Sequence, residues 1–269
     1  MIVSEYQIIP FPKIRRLMVD GGQLARQKHL IHGLIEVDVT AARQIVRTHK
    51  AMTGETLSFT AFILACLGRA IDQHKQLLTY RTWGRNLVVF DDADVNTMFE
   101  VEVDGQKIIR PHIIRAVNRK SFREIHEEIR AYQQNHASGQ EGKWIDRFVL
   151  LPACIRRLAL HAVLKTPRWM QNMNGTVSLT SVGMFGQGGG WGIPASNHTL
   201  QVTVGGIEEK PAFIGKNLEK REFLSMTISL DHDMVDGAPA ARFVQALKTM
   251  LENRYGLEQY ESRQFEEKK

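Results

Sequence analysis

Ser225-Met226-Thr227-Ile228-Ser229-Leu230-Asp231-His232-Asp233-Met234-Val235-Asp236-Gly237 is the most informative stretch of this 269-residue chain. Its first half belongs to Leu224–Leu230, which reads as an apolar strand. A histidine sits where the strand ends, and Asp236-Gly237 supplies a turn. From Pro239 to about Tyr255, Phe243, Val244, Leu247 and Leu251 then recur on one face of a helix. A strand, turn and helix in that order hold one imidazole firmly and leave its outer nitrogen open to a small molecule. Gly237 is expected to serve a close approach or an unusual backbone angle.

Upstream, Thr199–Val204 and Gly175–Val182 read as strands separated by the glycine-dense Gly186–Gly192. A helical segment runs from about Ile145 to Leu164, interrupted near Pro152, and Gly139–Gly142 is a polar turn. Ser121-Phe122-Arg123-Glu124 is a capping box opening a helix to about His136. Asp104-Gly105 predicts a hairpin between Val95–Val103 and Lys107–Val117, and Leu87–Phe90 reads as a strand before it. Ser58 or Thr60 starts a helix carrying Phe62, Ile63, Leu67, Ala70 and Ile71. Leu34–Val39 alternates like a strand, with Thr40 as N-cap of a helix to about Lys50. Residues 1–34 read as an irregular arm with one short helical piece, and 257–269 as a charged, exposed tail. With neither a repeat nor an Ala/Pro-rich linker, the pattern predicts one α+β domain over 1–256. The hairpin argues against a purely parallel sheet.

The net charge of +6 suits an anionic partner, but Arg and Lys are scattered rather than striped. Nucleic acid is therefore not expected. The longest apolar stretch, Phe59–Leu67, is too short for a bilayer. The N-terminus lacks the charged and apolar regions of a signal peptide. Cys66 and Cys154 both read as core thiols in a reducing compartment, so a cytoplasmic location is expected. The spacing of His126-Glu127-Glu128 lacks a second histidine four residues on, so no metal is expected. Gly186–Gly192 lacks the G-x-G-x-x-G spacing of a dinucleotide site, and Ser181 lacks a nucleophile elbow.

The His232–Gly237 segment resembles the H-x-x-x-D-G motif of dihydrolipoyl acyltransferases, the core subunits of 2-oxo-acid dehydrogenase complexes, and of chloramphenicol acetyltransferases. Further landmarks follow in the family order, from about residue 13 to 252: Leu34–Thr40, Leu57–Ile63, Asn118–Ser121, Gly175–Gly183 and Val204–Glu208. A lone motif would be a weak signal; the ordered set is a strong one. The resemblance implies a chloramphenicol-acetyltransferase-like α+β two-layer sandwich, a mixed sheet with helices packed on one face. It also implies a CoA-dependent acyltransferase with His232 as general base and coenzyme A (acyl-CoA) as co-substrate. By the same resemblance Thr180, with Ser181 as its alternative, donates to the oxyanion. Asp236 either orients catalytic groups or pins the loop, and the chloramphenicol enzymes favour a pairing with Arg15 or Arg16. The implied assembly is a homotrimer with His232 of one chain facing Thr180 of the next.

This chain also departs from the family. No Asp-Lys dipeptide marks a lipoyl hairpin, so no lipoyl group is expected on this chain and a lipoyl-domain protein would act in trans. Asp233 stands where arginine commonly follows the histidine, and two acids now flank the base, which favours a raised pKa or a different acceptor. The glycine loop is richer than the family pattern, and Phe99–Arg110 lacks its substrate-channel wording. The charged end Arg263–Lys269 suits a lone trimer. Besides transfer to a dihydrolipoyl acceptor, two readings stay open: a stand-alone acyltransferase on a small-molecule hydroxyl or amine acceptor, and a non-catalytic scaffold. The intact His232, Asp236, Gly237 and Thr180 argue against the scaffold.

Overall fold

The computed structural model describes residues 6–13, 15–103, 106–135, 147–183 and 188–261. Helix α1 (Arg15–Ala25) leads to β1 (Leu30–Asp38), so the first strand already begins within the expected arm. Helices α2 (Thr40–Thr53) and α3 (Phe59–Asp72) follow, then a 3-10 turn and a small ribbon of β2 (Thr79–Arg81) with β3 (Leu87–Val89). The hairpin β4 (Val95–Val103) and β5 (Gln106–Ile114) pairs in register; its Asp104-Gly105 turn lies outside the described residues. Helices α4 (Phe122–Asn135), α5 (Ala153–Lys165) and α6 (Pro167–Asn174) precede β6 (Val177–Ser181). The long hairpin β7 (Leu200–Ile214) and β8 (Asn217–Asp231) and helix α7 (Gly237–Glu252) complete the order.

The strands form one six-stranded sheet in the order β1-β8-β7-β6-β4-β5. Strand β6 pairs in parallel with β4 and β7, and every other pairing is antiparallel. The mixed character follows from β6, which reaches the sheet by way of helices rather than a hairpin. On β8, Leu224, Met226, Ile228 and Leu230 enter the same apolar cluster as Phe243, Leu247 and Leu251 of α7 and nearly all of α3. An α3 buried almost all round behaves as a core helix, as its apolar composition requires. Helices α1, α5 and α6 stack on one another instead, tied by buried Asp20, which accepts from Arg156 Nε at 2.7 Å and Arg157 Nε at 2.9 Å.

Local chemistry explains the boundaries. The Ser58 hydroxyl accepts from Ala61 N and caps α3. Ser121 and Glu124 exchange hydrogen bonds as a capping box, with Ser121 N to Glu124 Oε2 at 2.7 Å and Glu124 N to Ser121 Oγ at 3.3 Å. Thr40 is not a cap. It is the first helical residue, and Asp38 accepts both its amide and its hydroxyl. A carboxylate two residues back reaches that amide better than the residue's own hydroxyl can. Pro152 caps α5, which fits the interruption expected there.

Two further expectations fail. Cys154 is exposed on α5, whereas Cys66 is buried in α3; the apolar pattern around Cys154 faces outward, with Ile155 and Leu158 also exposed. The tail does not begin at Gly256, because Leu257 and Tyr260 are buried against the core. Gly139–Gly142 and the end Arg263–Lys269 lie outside the described residues. No described helix is long and apolar enough to cross a membrane.

Candidate active site

His232 sits one residue beyond β8, where the chain leaves the sheet. Its main-chain N–H donates to the His29 carbonyl at 2.9 Å while its side chain stays exposed. The backbone is therefore held and the imidazole is free. The turn that follows is fixed by Asp231, whose carbonyl accepts from Met234 and Val235 and whose Oδ1 accepts from Asp233 N at 3.3 Å.

The two acids that flank the base are both engaged. Buried Asp231 is ion-paired with Lys28, and Asp233 Oδ1 lies 2.9 Å from His29 Nδ1. Both carboxylates are thus taken up by Lys28 and His29, from the segment that leads into β1. No local pattern signals these pairings, because the partners stand 203 and 204 positions apart.

Asp236 occupies the N-cap of α7 with extended backbone and no side-chain cap hydrogen bond. The expected pairing with Arg15 or Arg16 does not form: among the described residues Asp236 has no ion pair, and all three side chains are exposed. The acid that α1 contributes to a pairing is its own Asp20, and the arginines are Arg156 and Arg157. Gly237 likewise has neither a left-handed φ nor any atom within 4 Å of an added Cβ. It is an ordinary first helical residue in this chain.

Thr180 and Ser181 point to opposite sides of the sheet, as successive strand residues must. Thr180 lines a cavity of about 250 Å3 with Asn96, Ser178, Asn197, His198 and Gln201. Ser181 lines one of about 380 Å3 with Ser58, Thr60, Phe99 and Arg130, on the side of α3 and α4. Buried His198 donates from Nε2 to the Asn174 carbonyl at 3.0 Å, and burial lowers its pKa to about 4. It is a neutral structural histidine beside Thr180.

Register fixes how far Thr180 stands from His232. Thr180 pairs with Thr203, and Thr203 with Thr227, five residues before His232. Five residues at ~3.3 Å and two strand spacings at ~4.8 Å place the two roughly 19 Å apart. One chain alone does not bring both to the same carbonyl. Asn197 lines both the Thr180 cavity and a second one of about 250 Å3 that Asp231 and Asp233 line with Lys28, Tyr80, Arg81, His161 and Lys165.

The glycine loop is spent on packing. Gly206 N donates to Gly190 O at 3.1 Å where the register of β7 shifts between Val204 and Ile207. A Cβ on Gly205 would stand 2.0 Å from Gly190 O, so only glycine lets the two backbones meet. Trp191 anchors the loop by donating from Nε1 to the Ile35 carbonyl at 3.1 Å. Among the described residues no group of three or more His, Cys, Asp or Glu is placed to hold a metal.

Residues 148–257, which include β6 to α7 and the whole His232 turn, match the 2-oxoacid dehydrogenases acyltransferase (catalytic domain) family. A lipoamide acyltransferase component of a branched-chain alpha-keto acid dehydrogenase complex from Pseudomonas aeruginosa is 37% identical over 86 residues, 31% of this chain and 20% of that protein. The chain thus spans about a fifth of that relative in the matched region. Among solved structures, a probable dihydrolipoamide acetyltransferase of Listeria monocytogenes superposes with a TM-score of 0.68 at 20% identity. That match covers 93% of this chain and 95% of the other. A chloramphenicol acetyltransferase gives a TM-score of 0.51 at 15% identity, over 91% and 99%. The fold is that of the 2-oxoacid dehydrogenase acyltransferase core, and it is chloramphenicol-acetyltransferase-like. The acyltransferase landmarks outside 148–257, such as Leu34–Thr40, fall on β1 and the start of α2 in the same sheet and core.

Proposed function

We propose that the chain is a cytoplasmic acyltransferase that moves an acyl group between CoA and a dihydrolipoyl group borne on another protein. The observation that carries this reading is His232. Its main chain is pinned at the end of β8, its imidazole is exposed, and it lies inside the segment that matches the acyltransferase family.

In this mechanism His232 takes the proton of the acceptor thiol, and the thiolate sulfur attacks the thioester carbonyl of acyl-CoA. The Thr180 hydroxyl donates to the resulting oxyanion. Collapse of the intermediate breaks the bond to the CoA sulfur, which recovers the proton from the imidazolium. No acyl-enzyme forms. General-base help of this kind contributes about 10²–10⁴-fold, and one oxyanion donor about 3–4 kcal/mol. Because Thr180 stands roughly 19 Å from His232 by strand geometry, the hydroxyl comes from a neighbouring copy. A homotrimer closes such a head-to-tail arrangement.

The test is an acyl-CoA panel offered with free dihydrolipoamide, small alcohols and small amines separately, beside a His232→Ala control. Turnover with dihydrolipoamide that the control lacks supports the reading. Turnover with an alcohol or amine alone replaces the acceptor, and no turnover at all sinks the activity.

A further inference from the structure

The cavity of about 250 Å3 lined by Asp231 and Asp233, the chain neighbours of His232, carries unbalanced charge. Lys28, Arg81 and Lys165 line it together with Asp231 and Asp233. Lys28 is satisfied by Asp231, and its ammonium lies 5.8 Å from the centre of the Tyr80 ring. Asp233 is turned to His29. Arg81, at the end of β2, and Lys165, at the end of α5, have no carboxylate within ion-pair distance among the described residues. The Lys165 ammonium reaches the Arg81 carbonyl at 3.5 Å, a marginal contact. Burial, together with the like charges of Arg81 and Lys28, pulls the Lys165 pKa below its ordinary value. Half-buried Lys165 and exposed Arg81, like charges set around one cavity, cost free energy that an anionic ligand would relieve.

We propose that this cavity binds a substrate carboxylate through Lys165 and Arg81, so that His232 serves a carboxyl-bearing acyl group or acceptor. This deepens the acyl-transfer reading and rests on it. Three cations against two acids leave a single positive charge, which one carboxylate balances and a phosphate dianion overshoots. The volume is also below the roughly 300–1,000 Å3 that drug-sized ligands occupy, which favours a short chain over a nucleotide. A dicarboxylic half-thioester and an amino- or hydroxy-acid acceptor present the same carboxylate, and the experiment separates them.

Titration calorimetry of succinate into the full chain needs no catalysis. Saturable heat in the wild type that is lost in K165Q and in R81Q supports the subsite, and an absence of heat in the wild type overturns it. Folding of both variants is checked by melting curves, and either one alone suffices. Two kcat/KM ratios then locate the carboxylate: succinyl-CoA to butyryl-CoA with a neutral acceptor, and a hydroxy acid to its neutral alcohol with acetyl-CoA. One of these ratios is expected to fall about tenfold or more in the variants, the loss of one charge-assisted contact. Both ratios staying within about twofold would overturn the proposal. Succinate bound through Lys165 in a protein that turns over no acyl-CoA would sink acyl transfer and leave the subsite standing.

Discussion

The main-chain N–H of His232 and the carbonyl of His29 are joined at 2.9 Å, one step beyond the Leu30–Asp231 pair that ends the β1–β8 ladder. The hydrogen bond belongs to the backbone, so the imidazole carries none of it. His232→Ala is therefore expected to lower acyl transfer by about 10²–10⁴-fold while its melting temperature matches the wild type. A variant that melts early would mean the side chain holds the turn.

Thr180 and His232 belong to different copies in the proposed site. Thr180→Ala and His232→Ala should each be nearly inactive alone, with Thr180→Ala reduced about 10²–10³-fold in kcat. Unfolding and reassembling the two variants together should restore part of the activity, because some interfaces then pair an intact histidine with an intact threonine. Mixed oligomers that stay as inactive as their parents would place both residues' work elsewhere.

Asp20 is almost wholly buried, and it joins α1 to α5 through Arg156 and Arg157. Burial by itself would raise the carboxyl, but the hydrogen bonds from Arg157 and Arg156 outweigh it and hold the pKa low. Asp20→Ala leaves Arg156 buried without its partner, and a loss of about 3–5 kcal/mol is expected in urea unfolding. An unchanged midpoint would show that the Leu151 carbonyl, which accepts from Arg156 Nη1 at 2.5 Å, is partner enough.

His198 supplies an acid-sensitive element. Its folded pKa, about 4, lies below the ordinary 6.5, so the unfolded chain takes up this proton first as pH falls. The stability that neutral His198 contributes is complete above pH 6.5 and drains away between 6.5 and about 4. His198→Gln should flatten the decline of melting temperature across that window. If the variant and wild type decline in parallel, another group sets the slope.

Two glycines should respond in opposite ways. Gly205→Ala forces a Cβ to within 2.0 Å of the Gly190 carbonyl and should lower the melting temperature by several degrees, at about 4 °C or less per kcal/mol for a chain of this size. Gly237→Ala meets nothing within 4 Å and gains up to about 1 kcal/mol of helix propensity at the start of α7. A destabilised Gly237→Ala would point to a contact across copies.

Much of this was legible in local sequence. The Leu224–Leu230 apolar strand, the Ser58 cap, the Ser121–Glu124 box and the apolar face of α7 each depend on neighbours within a few positions. Periodicity and capping report on such neighbours directly. The conspicuous glycines of Gly186–Gly192 were legible as unusual but not as to purpose. The role of Gly188, Gly189 and Gly190 in backing onto Gly205 and Gly206 needs the loop and β7 to meet. Strand β3 was legible as Leu87–Phe90, but its three-residue partner β2 offers too short a pattern to be read.

The sequence by itself determined the order of strands and helices, the strand-turn-helix that presents His232, and the kinship of residues 148–257, because these rest on periodicity and motif spacing along the chain. Only the tertiary structure decided the charges. It gave Asp231 to Lys28, Asp233 to His29 and Asp20 to Arg156, left Asp236 free of Arg15 and Arg16, and set Lys165 beside Arg81 without an acid. Those partners are brought together across the sheet and the helix stack from distant parts of the chain. Electrostatic attraction is indifferent to sequence separation and falls with distance in space.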